Sequence, residues 1–502
     1  MTSRVTRDGQ SDAFLRTTAN GFERELPQAD FYRLLWAYYW SNGLYDELRL
    51  MGLNLNDAKL RSLRNPAFRT VEFYAYTIWP GRLPEALPLK AENGRLQPAI
   101  EQLWTWSNWS ARKQVAVRWA GVTGDAYIRV AQPDDGAKRV FLQLIDPQFV
   151  TDKSVDERGY LTYCRIDVPQ QERAGDRTKA YTYTEVWDQE RRRVWRHTKG
   201  ATTSVDQLGT PESETPLSAW GIDFVPVVHV QHIDVGDAYG AGAYVHCLEK
   251  VDEVNRQVSR LHQMIFRNKV TWALQANMVD AMGRPLAAPR MGADDAGGTV
   301  EVADETMVKL PGMSTLAPLV PQLDFQAHLN AIDAQLAELR KDLPELEYYN
   351  LREAPELSGR AIRLLMAPAF ARIVEVRGNH EDGLIRAQKM ALTIGKNIGA
   401  WLAAGIADPG EYQRGDFDHA FLPREIVPFS RQEVAEMTQT EVNAGIPLIT
   451  SLRRSGWLDD EIEQMLAEKQ EEAIQQQQSL AEALLSAQRN VDGGNTAGLE
   501  QP

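Results

Sequence analysis

An α+β fold is predicted for this chain of 502 residues by three observations. Apolar residues recur at helical spacing over three long stretches, 245–265, 325–343 and 358–406. After Asp125 the period switches to two, in short runs separated by Asp, Gly and Pro turns. A Gly/Pro-rich insertion with short strand candidates sits between the first two helical stretches.

The N-terminal region reads as helical. In FYRLLWAYYWSNGLYDELRL, Leu35, Tyr38 and Tyr39 share one face before Gly43 interrupts the pattern. A single second helix is expected over LQPAIEQLWTWSNWSARKQVAVRWAGVTG, closing at the glycines. From Asp125, the runs AYIRVAQ, RVFLQLI, YLTYCRID, KAYTYTEVWD and RRVWRHTK are strand candidates. Together they read as one antiparallel meander of roughly 75 residues.

After VPVVHVQH the helical period returns. Val245, Leu248, Val251, Val254, Val258, Leu261 and Ile265 form one apolar stripe, with Arg, Glu and Asp on the other faces. Residues 271–320 are Gly/Pro-rich, with strand candidates such as TVEVA. In the helix that follows, Phe325, Leu329, Ile332, Leu336, Leu339 and Leu343 make a heptad seam.

The next segment, PELEYYNLREAPEL, is bounded by Pro344 and Pro355 and reads as a loop, too proline-broken for a helix and too acidic for a core strand. At about 14 residues it exceeds the usual two to eight of a helix–helix connection. It is either a solvated linker or a functional element. The third helical stretch, Ser358 to Ile406, would span roughly 70 Å at 1.5 Å per residue. Pro368, ten residues in, is expected to kink it. Further helices follow, then a Gln run and a Gly/Asn tail, of which about the last fifteen residues are expected to be disordered.

The net charge is −14, which argues against a protein that coats nucleic acid through a basic surface. It leaves room for one that lets DNA pass. The acidity is uneven: residues 430–502 hold 13 Asp/Glu against 5 Lys/Arg, whereas 358–404 hold 7 basic residues against 3 acidic. The longest uncharged apolar runs, such as NIGAWLAAGI, reach about half of the roughly 20 residues a membrane span needs. Met1 to Asn20 has no apolar core of a signal peptide. Cys164 and Cys247 are too few and too far apart for a disulfide framework or a zinc cluster. A cytosolic origin is expected.

The order of segments resembles that of the portal proteins of tailed bacteriophages, siphovirus-type, over nearly the whole chain. YYWSNG resembles the family's aromatic-rich helix end, and RNPAFRTVEFYAYTIWPG its asparagine-led helix before the first proline turn. NWSARKQVAVRWAGVTGDAYIRV resembles the helix, glycine and strand that lead into the wing. VPVVHVQH, a glycine-rich break and VDEVNRQVS resemble the start of the stem. ELSGRAIR resembles the beginning of the long kinked helix, and NAGIPLITSLRRSGWLDDEIEQMLAEKQEE resembles the crown. DAYGAGAYVHCLE departs from the pattern, standing where a serine-containing turn is expected before the first stem helix.

The resemblance implies a portal fold: a wing over 1–240, a first stem helix over 241–270, a clip over 271–321, a second stem helix over 322–343, a tunnel loop over 344–357, a long kinked helix with a return strand (DHAFLPREIVPF) to the wing over 358–429, and a crown over 430–502. It implies a twelve-subunit ring at the capsid vertex, assembled in the host cytoplasm and carried in the virion. Double-stranded DNA would pass through it without sequence specificity during packaging and ejection. The implied partners are the terminase large subunit, a head–tail adaptor, and the major capsid and scaffold proteins; no cofactor, metal or membrane is implied. The tunnel loop would place Glu345, Glu347, Tyr348, Tyr349, Asn350, Arg352, Glu353 and Glu356 on the DNA channel. Twelve copies at −14 carry about −168, and a carboxylate-rich channel repels phosphate where a cationic one would retain it. Acidity for solubility alone accounts for the charge equally well.

Enzymatic readings find less support in the residues. A packaging ATPase needs a GxxxxGK[ST] loop, and GKNIG at 395–399 lacks both the upstream glycine and the hydroxyl after lysine. His229 and His232, three apart in a predicted strand, fall on opposite faces and cannot share a metal undistorted. Asp459, Asp460, Glu461 and Glu463 read as a solvated first helical turn favoured by the helix dipole. Ser358 before Gly359 reads as a helix N-cap, with no histidine nearby to serve as a base. The expectation is a non-enzyme. A scaffold or capsid subunit is the alternative, distinguished by shells or elongated dimers in place of rings; a metal-dependent DNA-processing enzyme would show divalent-dependent cleavage.

Overall fold

The computed structural model describes residues 17–19, 22–24, 28–46, 60–79, 89–91, 93–133, 136–174, 177–199, 203–267, 271–276, 282, 299–302, 305–308, 314–319, 325–350, 359–422, 431–454, 457 and 459–494. The chain divides into two compact units, Met1–Phe421 and Leu422–Pro502. The fold is α+β, as the periodicities predict.

The first unit opens with a short hairpin, β1 (Thr17–Ala19) and β2 (Phe22–Arg24), followed by α1 (Gln28–Trp40) and α2 (Ala67–Ile78). After β3 (Leu89–Ala91) come α3 (Leu96–Ser107) and α4 (Trp109–Thr123). These last two were expected as one helix. Asn108 breaks it by adopting the left-handed conformation, φ 49°, which asparagine tolerates better than most residues. Leu35, Tyr38 and Tyr39 are buried on α1, Val71 on α2 and Val117 on α4; α1 packs on both of these helices, and α4 packs against the strand that follows it.

The strand candidates form two sheets where one meander was expected. β4 (Asp125–Ala131) and β5 (Phe141–Ile145) join β11 (Val227–Gln231) in a three-stranded antiparallel sheet, order β11-β4-β5. β6 (Val150–Val155), β7 (Leu161–Ala174), β8 (Arg177–Trp187), β9 (Arg191–His197) and β10 (Ser213–Pro216) form a five-stranded antiparallel sheet, order β10-β9-β8-β7-β6. The division falls at Pro147–Phe149, a tight helical turn that redirects the chain; the Asp146 side chain accepts the Gln148 amide there.

Two of the predicted long helices are α5 (Leu248–Arg267) and, after four short strands, α6 (Phe325–Asp342). α5 docks on the N-terminal helices through one polar row at helical spacing. Asp252 accepts the hydroxyls of Tyr38 (2.7 Å) and Tyr45 (3.0 Å), Asn255 Oδ1 accepts the amides of Leu63 (2.9 Å) and Arg64 (2.7 Å), and Ser259 Oγ accepts that of Arg61 (3.0 Å). The strands between the helices, β12 (Thr271–Ala276), β13 (Thr299–Val302), β14 (Glu305–Val308) and β15 (Ser314–Leu319), make a four-stranded sheet of order β13-β14-β12-β15 with β12 and β14 parallel.

Beyond α6, a tight turn at Pro344–Leu346 leads into the short helix α7 (Glu347–Asn350). The expected loop is therefore helical over its first half. Pro344 begins the turn because proline at the first helical position loses no hydrogen bond; the rest of the loop lies outside the described residues. The long helix α8 (Gly359–Asn397) continues on both sides of Pro368, whose residue is exposed. It closes earlier than the expected Ile406 because Gly399 turns left-handed, φ 72°, before the single turn α9 (Ala400–Ala403). At 1.5 Å per residue α8 is roughly 58 Å long. Within DHAFLPREIVPF a short strand, β16 (His419–Phe421), pairs antiparallel with β3.

The second unit consists of α10 (Arg431–Asn443), α11 (Leu448–Arg454) and α12 (Asp459–Gly494). Leu452 and Ile462 are its buried apolar anchors. The tail expected to be disordered is helical as far as Gly494; residues 495–502 lie outside the described residues. No helix among the described residues is long and apolar enough to cross a membrane.

Candidate functional site

The segment expected to line a channel is built onto the core at its first residues. Leu343 and Leu346 are buried, and Glu345 is fully buried between them. Its Oε1 accepts the Tyr74 hydroxyl of α2 at 2.6 Å and lies 3.5 Å from Arg372 of α8. Arg372 also donates to the Asp342 carbonyl at 2.8 Å, so α2, α6 and α8 meet at one carboxylate. Burial, and then the neighbouring Glu345 charge, push the Tyr74 hydroxyl well above its ordinary range. Asp342, the last residue of α6, pairs with Lys250 of α5, and His246 approaches its carbonyl at 3.2 Å.

This geometry removes Glu345 from the set of solvent-facing carboxylates in which it was expected. It anchors the base of the loop and cannot face a passing strand. Glu347 is half-buried and accepts the Asn350 side-chain amide at 3.1 Å. Tyr348 is exposed and packs its ring against Phe73 and Tyr349, with centroids 5.4 and 5.6 Å away. The Tyr349 hydroxyl donates to the Arg69 carbonyl at 2.9 Å. Arg352, Glu353 and Glu356 lie outside the described residues, as does Ser358.

A second constellation went unread in the sequence. Gly124, at φ +92°, approaches Gly240 so closely that a Cβ would sit 2.1 Å from its carbonyl oxygen, and this contact buries the next residue, Asp125. Asp125 accepts the Tyr32 hydroxyl (2.6 Å), His229 Nε2–H (2.6 Å) and the Gly240 amide (2.9 Å). Lys153 Nζ stands 3.3 Å from the His229 ring, donates to the Ala238 carbonyl at 2.5 Å, and lies 4.0 Å from the Tyr239 ring centre. Burial alone would raise the Asp125 carboxyl, but the His229 hydrogen bond, the neighbouring charges and the Gly240 amide hold it below the usual range. Burial pushes Lys153 down to about 8, with the Asp125 charge opposing it. Burial and the Lys153 charge lower His229, so the neutral imidazole donates and Lys153 carries the positive charge.

By their spacing in the sequence His229 and His232 suggest nothing beyond a candidate metal pair. In the fold His229 faces Asp125 and Lys153, whereas His232 stacks edge-on against Tyr74 at 4.8 Å and lies 6.0 Å from His380 of α8. Its partners come from α2 and α8, far away in sequence, so no local spacing signals them.

Outside these two sites, apolar side chains stand uncovered on the helices. Leu329, in the middle of the α6 seam, is 43% exposed, Ile265 at the end of the α5 stripe 56%, and Leu364 and Val374 on α8 are 70% and 61%. On the N-terminal helices Trp36, Trp40, Phe68 and Trp119 line a cavity of about 470 Å³ over the Glu72–Arg118 ion pair.

No family model matches this chain, and no curated protein does. Among the solved structures that match is a chain of the neck of a native GTA particle computed with C12 symmetry, 14% identical, with a TM-score of 0.33, the match covering 72% of this chain and 91% of that one.

Proposed function

We propose that this chain is a non-enzymatic portal subunit, forming a ring at a phage capsid vertex that conducts DNA during packaging and ejection. The ring would present surfaces to a terminase motor and a head–tail adaptor, in contact with capsid and scaffold proteins. The observation that carries this reading is the half-covered stem seam. Of the heptad positions Ile332, Leu339 and Leu343 are buried while Leu329 is open, and the apolar stripe of α5 ends on exposed Ile265. A seam of this kind gains from a neighbour, and a head-to-tail contact that closes generates a ring. The α-helical pair with a small sheet between its helices in sequence suits a tip that meets an adaptor.

Purified protein is expected to appear in negative-stain images as channelled rings. A monodisperse monomer at micromolar concentration, at both low and high salt, would sink the reading. Trimming residues 283–298 is expected to leave rings intact but abolish capture of the adaptor; unchanged capture would remove the sheet between the stem helices from that role.

A further inference from the structure

We propose that His232 and His380 form an acid-released latch that holds the middle of α8 against β11 and the Tyr74 ring. Both histidines are buried. Among the described residues, neither ring nitrogen of His232 has a hydrogen-bond partner, nor does Nε2 of His380. The ring centres are 6.0 Å apart, and Asn379, beside His380, donates to the His232 carbonyl at 3.2 Å. The helix thus grips the strand end at this point.

The groups around the pair explain its sensitivity. From α2 the pair meets Tyr74, whose hydroxyl is committed to Glu345 on the turn after α6, with Arg372 of α8 beyond. From α4 Gly121 approaches it, where an added Cβ would lie 3.7 Å from the His232 ring. From α8 itself it meets the other histidine. Among the described residues, no carboxylate bonds either ring nitrogen of His232 or Nε2 of His380. Contact with the Tyr74 ring recovers less than the hydration that a buried imidazolium forfeits, and a second proton would add repulsion between the rings. Burial accordingly lowers both groups, His380 to about 4.

The sign follows from linkage. A histidine lowered in the fold adds stability that is fully present above its unfolded value near 6.5, and this is lost as pH falls towards the folded value. Tyr74 touches His232 on one side and holds Glu345 on the other, so release would also loosen the base of the 344–350 segment. The latch is a property of the single chain and does not depend on ring formation.

Site-resolved hydrogen exchange on the full chain tests it. Corrected for intrinsic rates, opening of amides in β11 and in α8 around Asn379–Leu384 is expected to rise about thirtyfold for each histidine between pH 7.5 and 5, while β7–β9 stay protected. His232→Phe and His380→Phe should each remove their share of that rise. Equal acid sensitivity in a folded variant would overturn the proposal. So would wild-type protein in which β7–β9 open first or together with α8, a result that needs no variant to fold.

Discussion

Asp125→Ala is expected to destabilise the first unit by about 3–5 kcal/mol, the range for removing one partner of a buried ion pair. The loss has three parts. The Tyr32 hydroxyl and the Gly240 amide, both bonded to the carboxylate, become buried donors without acceptors. His229 loses its orienting acceptor. Lys153 loses the charge that opposes the effect of its burial, and is left beside the His229 ring, the Ala238 carbonyl and the Tyr239 ring. Asp125→Asn retains an acceptor and should lose less, so the two variants separate hydrogen bonding from charge. Thermal and denaturant unfolding monitored on the tryptophans would read the difference. A shift under about 1 kcal/mol for the alanine variant would mean that the cluster is not the keystone its geometry implies.

The second large effect divides the glutamates of the 344–357 segment into two classes. Glu345→Lys would set an ammonium beside Arg372 in a fully buried site and strand the Tyr74 hydroxyl, and about 3–5 kcal/mol of stability should go with it. Lysine in place of Glu347, Glu353 and Glu356 together should leave melting and assembly near normal, because surface charge changes move stability little. On the portal reading the triple variant would instead slow DNA passage, most at low salt, since a cationic lining holds phosphate through counterion release. Melting curves and packaging rates over a salt series would check both halves. Wild-type packaging by the triple variant at every ionic strength would remove this segment from the DNA path, and a Glu345→Lys protein of undiminished stability would contradict its buried placement.

What could be read in the sequence was what local spacing encodes. The stripe from Val245 to Ile265, the heptad from Phe325 to Leu343 and the alternation in AYIRVAQ each declare an element through its own period. Partners remote in sequence declare nothing. Glu345 looked like a solvent-facing acid because its hydroxyl donor, Tyr74, lies 271 residues away, and the bond from His229 to Asp125 leaves no local signal because the two lie 104 residues apart. Local chemistry misled in two places. Asn108 was read through as helix although its side chain suits the left-handed turn it makes, and Pro344 was read as a breaker when at the first position of a turn it is a starter. The division of the strands into two sheets follows from a three-residue turn that period-two patterning cannot see.

The pairing of β3 with β16 carries a consequence for biosynthesis. Asn93, just after β3, donates to the carbonyl of Asp416, 323 residues later. Everything from the first sheet to the end of α8 lies between the two halves of that ribbon. At translation speeds of about 5–20 residues per second, the N-terminal half waits roughly 15–60 s on the ribosome before its closing strand is synthesised. During that interval the backbone edge of Leu89–Ala91 is open to pairing with another nascent chain. Slow translation or crowded polysomes should therefore favour tangled intermediates, and yield in expression should respond to chaperones that shield strand edges more than to changes that only stabilise the finished fold.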